Sequence, residues 1–394
     1  MRLRFYYDVV CPYAWLASRR VSALAARTGA EVEWFPVLLG GIFRSIGAPD
    51  RPAESWSMSR AVRIAEDLER EVRREGEALS FPPGHPRRTV NAMRLLCAAP
   101  DAVRPALSEA LYRAYWLEHR DVNDPATLNE IAARFGLPAE LFASEDAKAR
   151  LFANTEVAIR AGLFGVPAFQ VGGEGRIWWG QDRMHLVEAA LGGPAQHVRF
   201  TGPPSTAEIE LFHDFASPFA YLGVSQALAL ARDRGVRLRL RPVLLGALFR
   251  EIGTPDVPLF EMTEPKRRYY AQDLEDWAAW WGLPFHFPSH FPVRTVLPLR
   301  VSLLDERSVL PLYRALWAED RDIADPAVVR AVLDEAGLDG GALIAGAEDP
   351  AVKASLRQNN ADAEALGVCG VPTFRVGEAL YWGQDRLYRV NEAV

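Results

Sequence analysis

Two short stretches of this chain carry side chains that could do chemistry. In Cys11-Pro12-Tyr13-Ala14 a thiol, and in Ser217-Pro218-Phe219-Ala220 a hydroxyl, stands behind a strand-like run and directly before a proline. Proline suits the first position of a helix, where its missing N–H costs nothing. Each nucleophile-capable side chain is therefore expected at a helix start, facing unpaired backbone N–H groups and the positive end of the helix dipole. A thiolate is stabilised there, whether it is the protein's own or a ligand's. As a thiolate, Cys11 could attack a disulfide or form a mixed disulfide. Ser217 could instead donate its hydroxyl to a bound thiolate and lower that thiol's pKa. A helix-capping serine explains Ser217 by structure alone. Ala14 stands where a dithiol site keeps its second cysteine, so Cys11 is at most a monothiol site.

The elements that must position these residues are written twice. Cys11 matches Ser217, Pro36-Val37-Leu38-Leu39-Gly40 matches Pro242-Val243-Leu244-Leu245-Gly246, and Arg88-Thr89-Val90 matches Arg294-Thr295-Val296, all at a displacement of 206. Chance does not hold one offset through three separated blocks, so the repeat is a duplicated domain. Further on, Gly165-Val166-Pro167-Ala168-Phe169 answers Gly370-Val371-Pro372-Thr373-Phe374, and Trp179-Gly180-Gln181-Asp182-Arg183 answers Trp382-Gly383-Gln384-Asp385-Arg386. One domain is expected over 1–193 and the other over 208–394, joined by a Gly/Pro-rich linker over 194–207. In the first copy the pattern predicts a strand over 3–8, a helix over 12–28 and a strand over 31–38. A mostly helical stretch over 57–163 follows, then a hairpin of 168–171 and 176–179 about the turn 172–175, and a last helix. The order is βαβ, a helical insertion, then ββα, an α/β fold present twice in tandem.

Composition narrows the chemistry. A chain of 394 residues, 49% of them hydrophobic, is long enough for two cores. Its net charge of −6 and dispersed arginines offer no basic field for nucleic acid. Asp8 interrupts the apolar core that a signal peptide needs, and no uncharged apolar run reaches membrane-spanning length, so a soluble cytoplasmic protein is expected. The three cysteines, Cys11, Cys97 and Cys369, form no C-x-x-C pair, and the seven histidines show no metal-ligand spacing. A small-molecule substrate is the expected partner, with no metal.

Other residues join the two nucleophiles. Pro167 and Pro372, each after a valine and before a strand, are candidates for cis bonds or ordinary turn prolines. A cis turn would free the backbone of Val166 or Val371 to pair with an extended peptide. Asp182 and Asp385 precede the last helix of each copy and could cap it or hold a ligand ammonium group. Trp179 and Trp382 read as strand packing first and pocket wall second, while Tyr13 and Phe219 offer an aromatic wall for a planar substrate. Arg88 and Arg294 could meet a substrate carboxylate or simply lie on the surface. Cys97 reads as helix core, and Cys369, three residues before Pro372, as packing that approaches the Ser217 site.

The element order, with X-Pro just before the third strand, resembles the thioredoxin fold carrying an all-helical insertion, as in the DsbA-like family. Asp214-Phe215-Ala216-Ser217-Pro218-Phe219-Ala220-Tyr221-Leu222, with the Gly-Val-Pro and Trp-Gly-Gln-Asp-Arg motifs, is similar to 2-hydroxychromene-2-carboxylate isomerases and kappa-class glutathione transferases. The resemblance covers nearly all of both copies. It implies glutathione as cofactor, with its sulfur beside Ser217 or Cys11 and its backbone paired at Val166-Pro167 or Val371-Pro372. It further implies that Asp182 or Asp385, with Gln181 or Gln384 beside it, holds the γ-glutamyl end. A basic residue early in the helical insertion, Arg60 or Lys266, would meet a ligand carboxylate. The implied activity is a glutathione-dependent isomerase or transferase acting on an aromatic or conjugated carboxylate. Two alternatives stay open, a monothiol thiol-disulfide oxidoreductase working through Cys11 and a glutathione or peptide binder without turnover. Relatives of this kind are generally homodimers, so the tandem chain is expected to be an intramolecular pseudo-dimer, with further dimerisation left open.

Overall fold

The computed structural model describes residues 1–173, 175–193 and 200–394. Of the expected linker, 194–199 lie outside the described residues, as does Glu174 of the expected hairpin turn. The first half runs β1 (Arg2–Tyr7), α1 (Pro12–Thr28), β2 (Glu31–Pro36), α2 (Leu39–Ser45), α3 (Met58–Arg74), α4 (Val90–Ala98), α5 (Arg104–Trp116), α6 (Pro125–Ala133), α7 (Glu145–Arg160), β3 (Ala168–Val171), β4 (Ile177–Trp179) and α8 (Met184–Ala190). The second runs β5 (Glu208–His213), α9 (Pro218–Arg234), β6 (Arg237–Pro242), α10 (Leu245–Glu251), α11 (Glu264–Trp281), α12 (Val296–Leu304), α13 (Val309–Trp317), α14 (Pro326–Glu335), α15 (Gly340–Gly346), α16 (Pro350–Ala365), β7 (Thr373–Val376), β8 (Ala379–Trp382) and α17 (Leu387–Ala393).

Each half builds a four-stranded sheet, β2-β1-β3-β4 and β6-β5-β7-β8. The first two strands of each half pair in parallel and the hairpin joins antiparallel. This is the thioredoxin-like arrangement, with α3–α7 and α11–α16 as its helical insertions. Because β1 and β5 lie between two neighbours, the residues near their C-terminal ends are buried on both faces, and these strands point into the turns that carry Cys11 and Ser217.

The first helix of each half starts and stops for local reasons. Pro12 and Pro218 occupy the first turn, and Gly29 and Gly235, both at φ 65°, close the helices in the left-handed conformation that glycine adopts without penalty. Buried tryptophans then fix the turns from the insertion side. Trp116 Nε1 donates to Val9 O at 2.9 Å, and Trp317 Nε1 donates to Phe215 O at 2.8 Å. Each bond satisfies a fully buried indole and clamps the backbone two residues before the nucleophile.

The chain divides into two compact units. The first comprises Met1–Glu54, Glu66–Ala195 and Thr263–Tyr269; the second comprises Ser55–Ala65, Gln196–Met262 and Tyr270–Val394. Each unit thus takes in one short segment whose sequence belongs to the opposite half. Residues 200–207 show no periodic pattern, yet single contacts hold them to the second unit. The buried Arg234 donates to Thr201 O at 3.2 Å and Pro203 O at 3.0 Å, and Phe200 is buried.

Candidate active site

The two nucleophile turns have the same backbone. Cys11 has φ −96° and ψ 117°, Ser217 has φ −101° and ψ 118°, and both cap the helix that follows. Cys11 Sγ donates to Val166 O and Ser217 Oγ donates to Val371 O, each at 3.1 Å. Ser217 Oγ also accepts from Ala220 N–H at 3.2 Å, whereas the Cys11 sulfur makes no capping bond. The Val166-Pro167 and Val371-Pro372 bonds are both cis. Neither valine N–H has an acceptor among the described residues.

Burial reverses the expectation that Cys11 is a stabilised thiolate. The residue is only 8% exposed, and loss of hydration pushes its thiol up to about 12, against the smaller pull of the Ala14 and Tyr13 N–H groups. At neutral pH it is a hydrogen-bond donor. The other two cysteines are pushed up to about 12 for the same reason, Cys97 within α4 and Cys369 just before the Gly-Val-Pro turn of the second unit.

A carboxylate under each turn was not among the expected site residues. Asp8 Oδ1 accepts from Val10 N–H at 3.2 Å and Thr89 Oγ1 at 2.9 Å, and Oδ2 accepts from Leu39 N–H at 2.9 Å. Asp214 repeats this with Ala216 N–H at 3.0 Å, Leu245 N–H at 2.7 Å and the Thr295 hydroxyl. One buried side chain therefore ties the nucleophile turn to the first residue of the next helix and to the threonine that opens α4 or α12. Burial raises both carboxyls, Asp8 to about 6, although their hydrogen bonds oppose the shift. The signal was present in the sequence: Asp8 and Asp214, like Thr89 and Thr295, keep the displacement of 206.

The remaining motifs interlock. A Cβ on Gly165 would lie 2.8 Å from Trp179 Nε1, and one on Gly370 would lie 2.8 Å from Trp382 Nε1, so glycine lets each indole cover the turn before the cis-proline. Gly180 and Gly383 have φ 108° and 110°, and a Cβ there would collide with the carboxylates of Asp182 and Asp385. Those carboxylates pair with Arg183 at 2.9 Å and Arg386 at 3.3 Å. Gln181 and Gln384, expected beside a ligand, are almost wholly buried. The first accepts from Arg20 of α1, and the second accepts from Trp281 Nε1 at 2.9 Å. Both side chains tie the motif to the fold.

The two units differ around these tryptophans. In the first, Tyr269 Oη accepts from Trp179 N–H at 3.0 Å and donates to Trp179 O at 3.2 Å, and the Phe164 ring lies 4.8 Å from the Trp179 ring. In the second, the Arg60 guanidinium lies 5.3 Å from the Trp56 ring and 5.8 Å from the Trp382 ring. Arg60 and Arg63 both pull the Cys369 thiol downward against its burial. Arg60, counted with the first copy by sequence, thus belongs to the unit of Ser217, and Lys266 to the unit of Cys11. Phe219 stands edge-on to Tyr270 at 5.7 Å, while Tyr13 is half-buried. Arg88 and Arg294 are exposed, one residue before the threonines that bond Asp8 and Asp214.

With that geometry in view, the DSBA-like thioredoxin domain matches residues 2–192 and again 208–394. The chain belongs to the DSBA-like thioredoxin family. Among DSBA-like relatives, the 2-hydroxychromene-2-carboxylate isomerase of Sphingobium xenophagum is 31% identical over 186 residues, covering 46% of this chain and 95% of that protein. The glutathione S-transferase kappa 1 of Homo sapiens is 26% identical over 208 residues, covering 48% of this chain and 90% of its own. A solved structure of 2-hydroxychromene-2-carboxylate isomerase covers 49% of this chain and 95% of its own at 24% identity, with a TM-score of 0.41. Each such relative spans about half of this DSBA-like chain, which is a tandem duplication within the branch holding these isomerases and transferases.

Proposed function

We propose that the Ser217 unit binds glutathione and serves as a glutathione-dependent isomerase or transferase for an aromatic or conjugated carboxylate. The observation that carries this reading is the pairing of the Ser217 hydroxyl, at the start of α9, with a Val371 backbone whose N–H has no acceptor among the described residues. The residues fit the tripeptide. Val371 offers a donor and an acceptor to an extended peptide backbone. Arg60 Nε is buried without an acceptor among the described residues, which suits a ligand carboxylate, and Asp385 suits the γ-glutamyl ammonium group.

When bound, glutathione supplies a thiolate that adds reversibly to a conjugated carbon and lets the former double bond rotate as a single bond. The protein's part is to keep that sulfur ionised and placed. Ser217 releases Val371 O and turns its O–H toward the sulfur, where the α9 dipole favours negative charge. Asp214 holds the turn in register from beneath, and Phe219 gives one apolar wall. The thiol-disulfide reading of Cys11 has less support, because its thiol is buried and protonated at neutral pH.

The test is glutathione-dependent isomerisation of 2-hydroxychromene-2-carboxylate, with transfer to an aromatic electrophile assayed in parallel. Ser217→Ala should lower turnover by about 100-fold, the scale of losing one preorganised donor to a developing charge. Cys11→Ser should leave it within about twofold. No turnover by the intact protein on either substrate class, with glutathione still bound, would leave a binder in place of an enzyme.

A further inference from the structure

Lined by no residue of either nucleophile turn, a cavity of about 410 Å³ lies in the first unit between α2, α4 and α7. Its wall is apolar at Leu38, Leu151, Phe152 and Ile159, and its cations are Arg44, Arg94 and Lys148 against one acid, Glu156. Lys148 bonds Glu145 of its own helix, and Arg94 acts on the same carboxylate at longer range, while neither Arg44 nor Arg94 has a close ion pair or a hydrogen bond among the described residues. Phe152, on the wall of this cavity, is 70% exposed.

The duplicate half supplies an internal control. Leu38 N–H donates to Thr155 Oγ1 at 3.1 Å, and Leu244 N–H donates to Asn360 Oδ1 at 2.8 Å, which fixes the register of α7 on α16. In that register Phe152 corresponds to Arg357 and Ile159 to Glu364, while Gly41 of α2 corresponds to Ala247 of α10. The second half keeps the cations as Arg250, Arg300 and Lys353, and there Glu348 pairs with two of them, accepting from Arg300 at 3.3 Å and from Lys353 at 2.7 Å. The residue of the first half matching Glu348 is Ala143. Compared with the second half, the first lacks this acid but has Glu156 in place of Ala361, has two apolar wall residues where the second has charged ones, and has a glycine where a Cβ would lie 3.0 Å from the Thr155 methyl.

We infer that this cavity is a binding site for a small aromatic carboxylate, separate from the thiol sites and independent of glutathione. The ring lies against Leu151, Phe152 and Ile159, and the carboxylate meets Arg44 and Arg94. The volume is of the order that small-ligand clefts occupy. A planar guanidinium pairs with a carboxylate through two parallel hydrogen bonds, which gives the site its preference for that group over a neutral one.

The experiment is calorimetric titration of 1-naphthoate into the full chain without glutathione, with 1-naphthalenemethanol as the uncharged comparison. Saturable binding is expected for the carboxylate and binding at least about tenfold weaker for the alcohol. Arg94→Gln should weaken naphthoate by about tenfold. The Phe152→Arg/Ile159→Glu pair, which installs the residues of the second half, should abolish binding while the circular dichroism spectrum stays unchanged. Equal affinity of these variants and the unsubstituted protein, or no saturable binding up to about 10 mM, which is weaker than about 3 kcal/mol of affinity, would overturn the assignment.

Discussion

The Cys11 and Ser217 turns share a backbone to within a few degrees, a cis-proline opposite and a buried carboxylate beneath, yet they do not offer the same chemistry. Oxygen at this position is small and a good acceptor, so Ser217 caps α9 and donates to Val371 O at once. Sulfur is larger and a weak acceptor, so Cys11 only donates. The surroundings diverge in the same direction. Tyr269 and Phe164 pack about Trp179, whereas Arg60 stands near Trp382 and acts on the Cys369 thiol. A helix N-terminus does not by itself make a reactive thiol; when the sulfur is buried, lost hydration outweighs the dipole.

Labelling and substitution at the two turns measure how far they differ. The largest effect concerns the thiol. With its pKa pushed up to about 12, Cys11 should be alkylated by iodoacetamide at pH 7 roughly 1000-fold more slowly in the native protein than in denaturant. Mass spectrometry of quenched samples reads this directly, and equal rates would restore Cys11 as a redox candidate.

The next concerns the carboxylate common to both turns. Asp8 is raised to about 6 in the fold, so the native state binds the proton more tightly than the unfolded chain does. The stability this group contributes is present below about pH 4 and is lost as pH rises through about 6, by about 3 kcal/mol. Urea unfolding of the intact protein and of Asp8→Asn from pH 4 to 7 should show a difference that changes by that order. Asp214→Asn should change in the same direction. A pH-independent difference for Asp8 would mean that its carboxyl is not raised.

The smallest effect is the cap itself. Ser217→Ala should cost about 1 kcal/mol of stability, and Cys11→Ser should add up to about 1 kcal/mol by giving α1 the acceptor it lacks. Thermal unfolding measures both, and a destabilising Cys11→Ser would show that the two turns are not interchangeable frames.

Much of the frame was readable from the chain. Helix α1 spans Pro12–Thr28, the bounds expected from the sequence, and the repeat matched every motif of the second half to its partner in the first. The expected strand over 31–38 stops at Pro36, because Leu38 N–H turns to Thr155 and Leu39 N–H to Asp8. What sequence could not show depends on burial and on distant contacts. The protonated state of Cys11 follows from a desolvation that no local motif encodes. Gln181 and Gln384, ligand-binding candidates by motif, are held by α1 and α11 through their side-chain oxygens, while their Nε2 atoms have no hydrogen-bond partner among the described residues. A displacement of 206 relates Arg60 to Lys266 but cannot say that each falls in the unit of the opposite half. Asp8 and Thr89 could have been found, since both recur at the same displacement, but neither resembles a nucleophile or an anion-binding residue.

The central claim is that glutathione belongs to Ser217. Calorimetric titration of glutathione under reducing conditions into the intact protein, Ser217→Ala and Cys11→Ser tests it most directly. Equal binding by the intact protein and Cys11→Ser is expected, with binding at least about tenfold weaker in Ser217→Ala. Undiminished binding by Ser217→Ala, with loss in Cys11→Ser, would contradict it and move the glutathione site to the first unit.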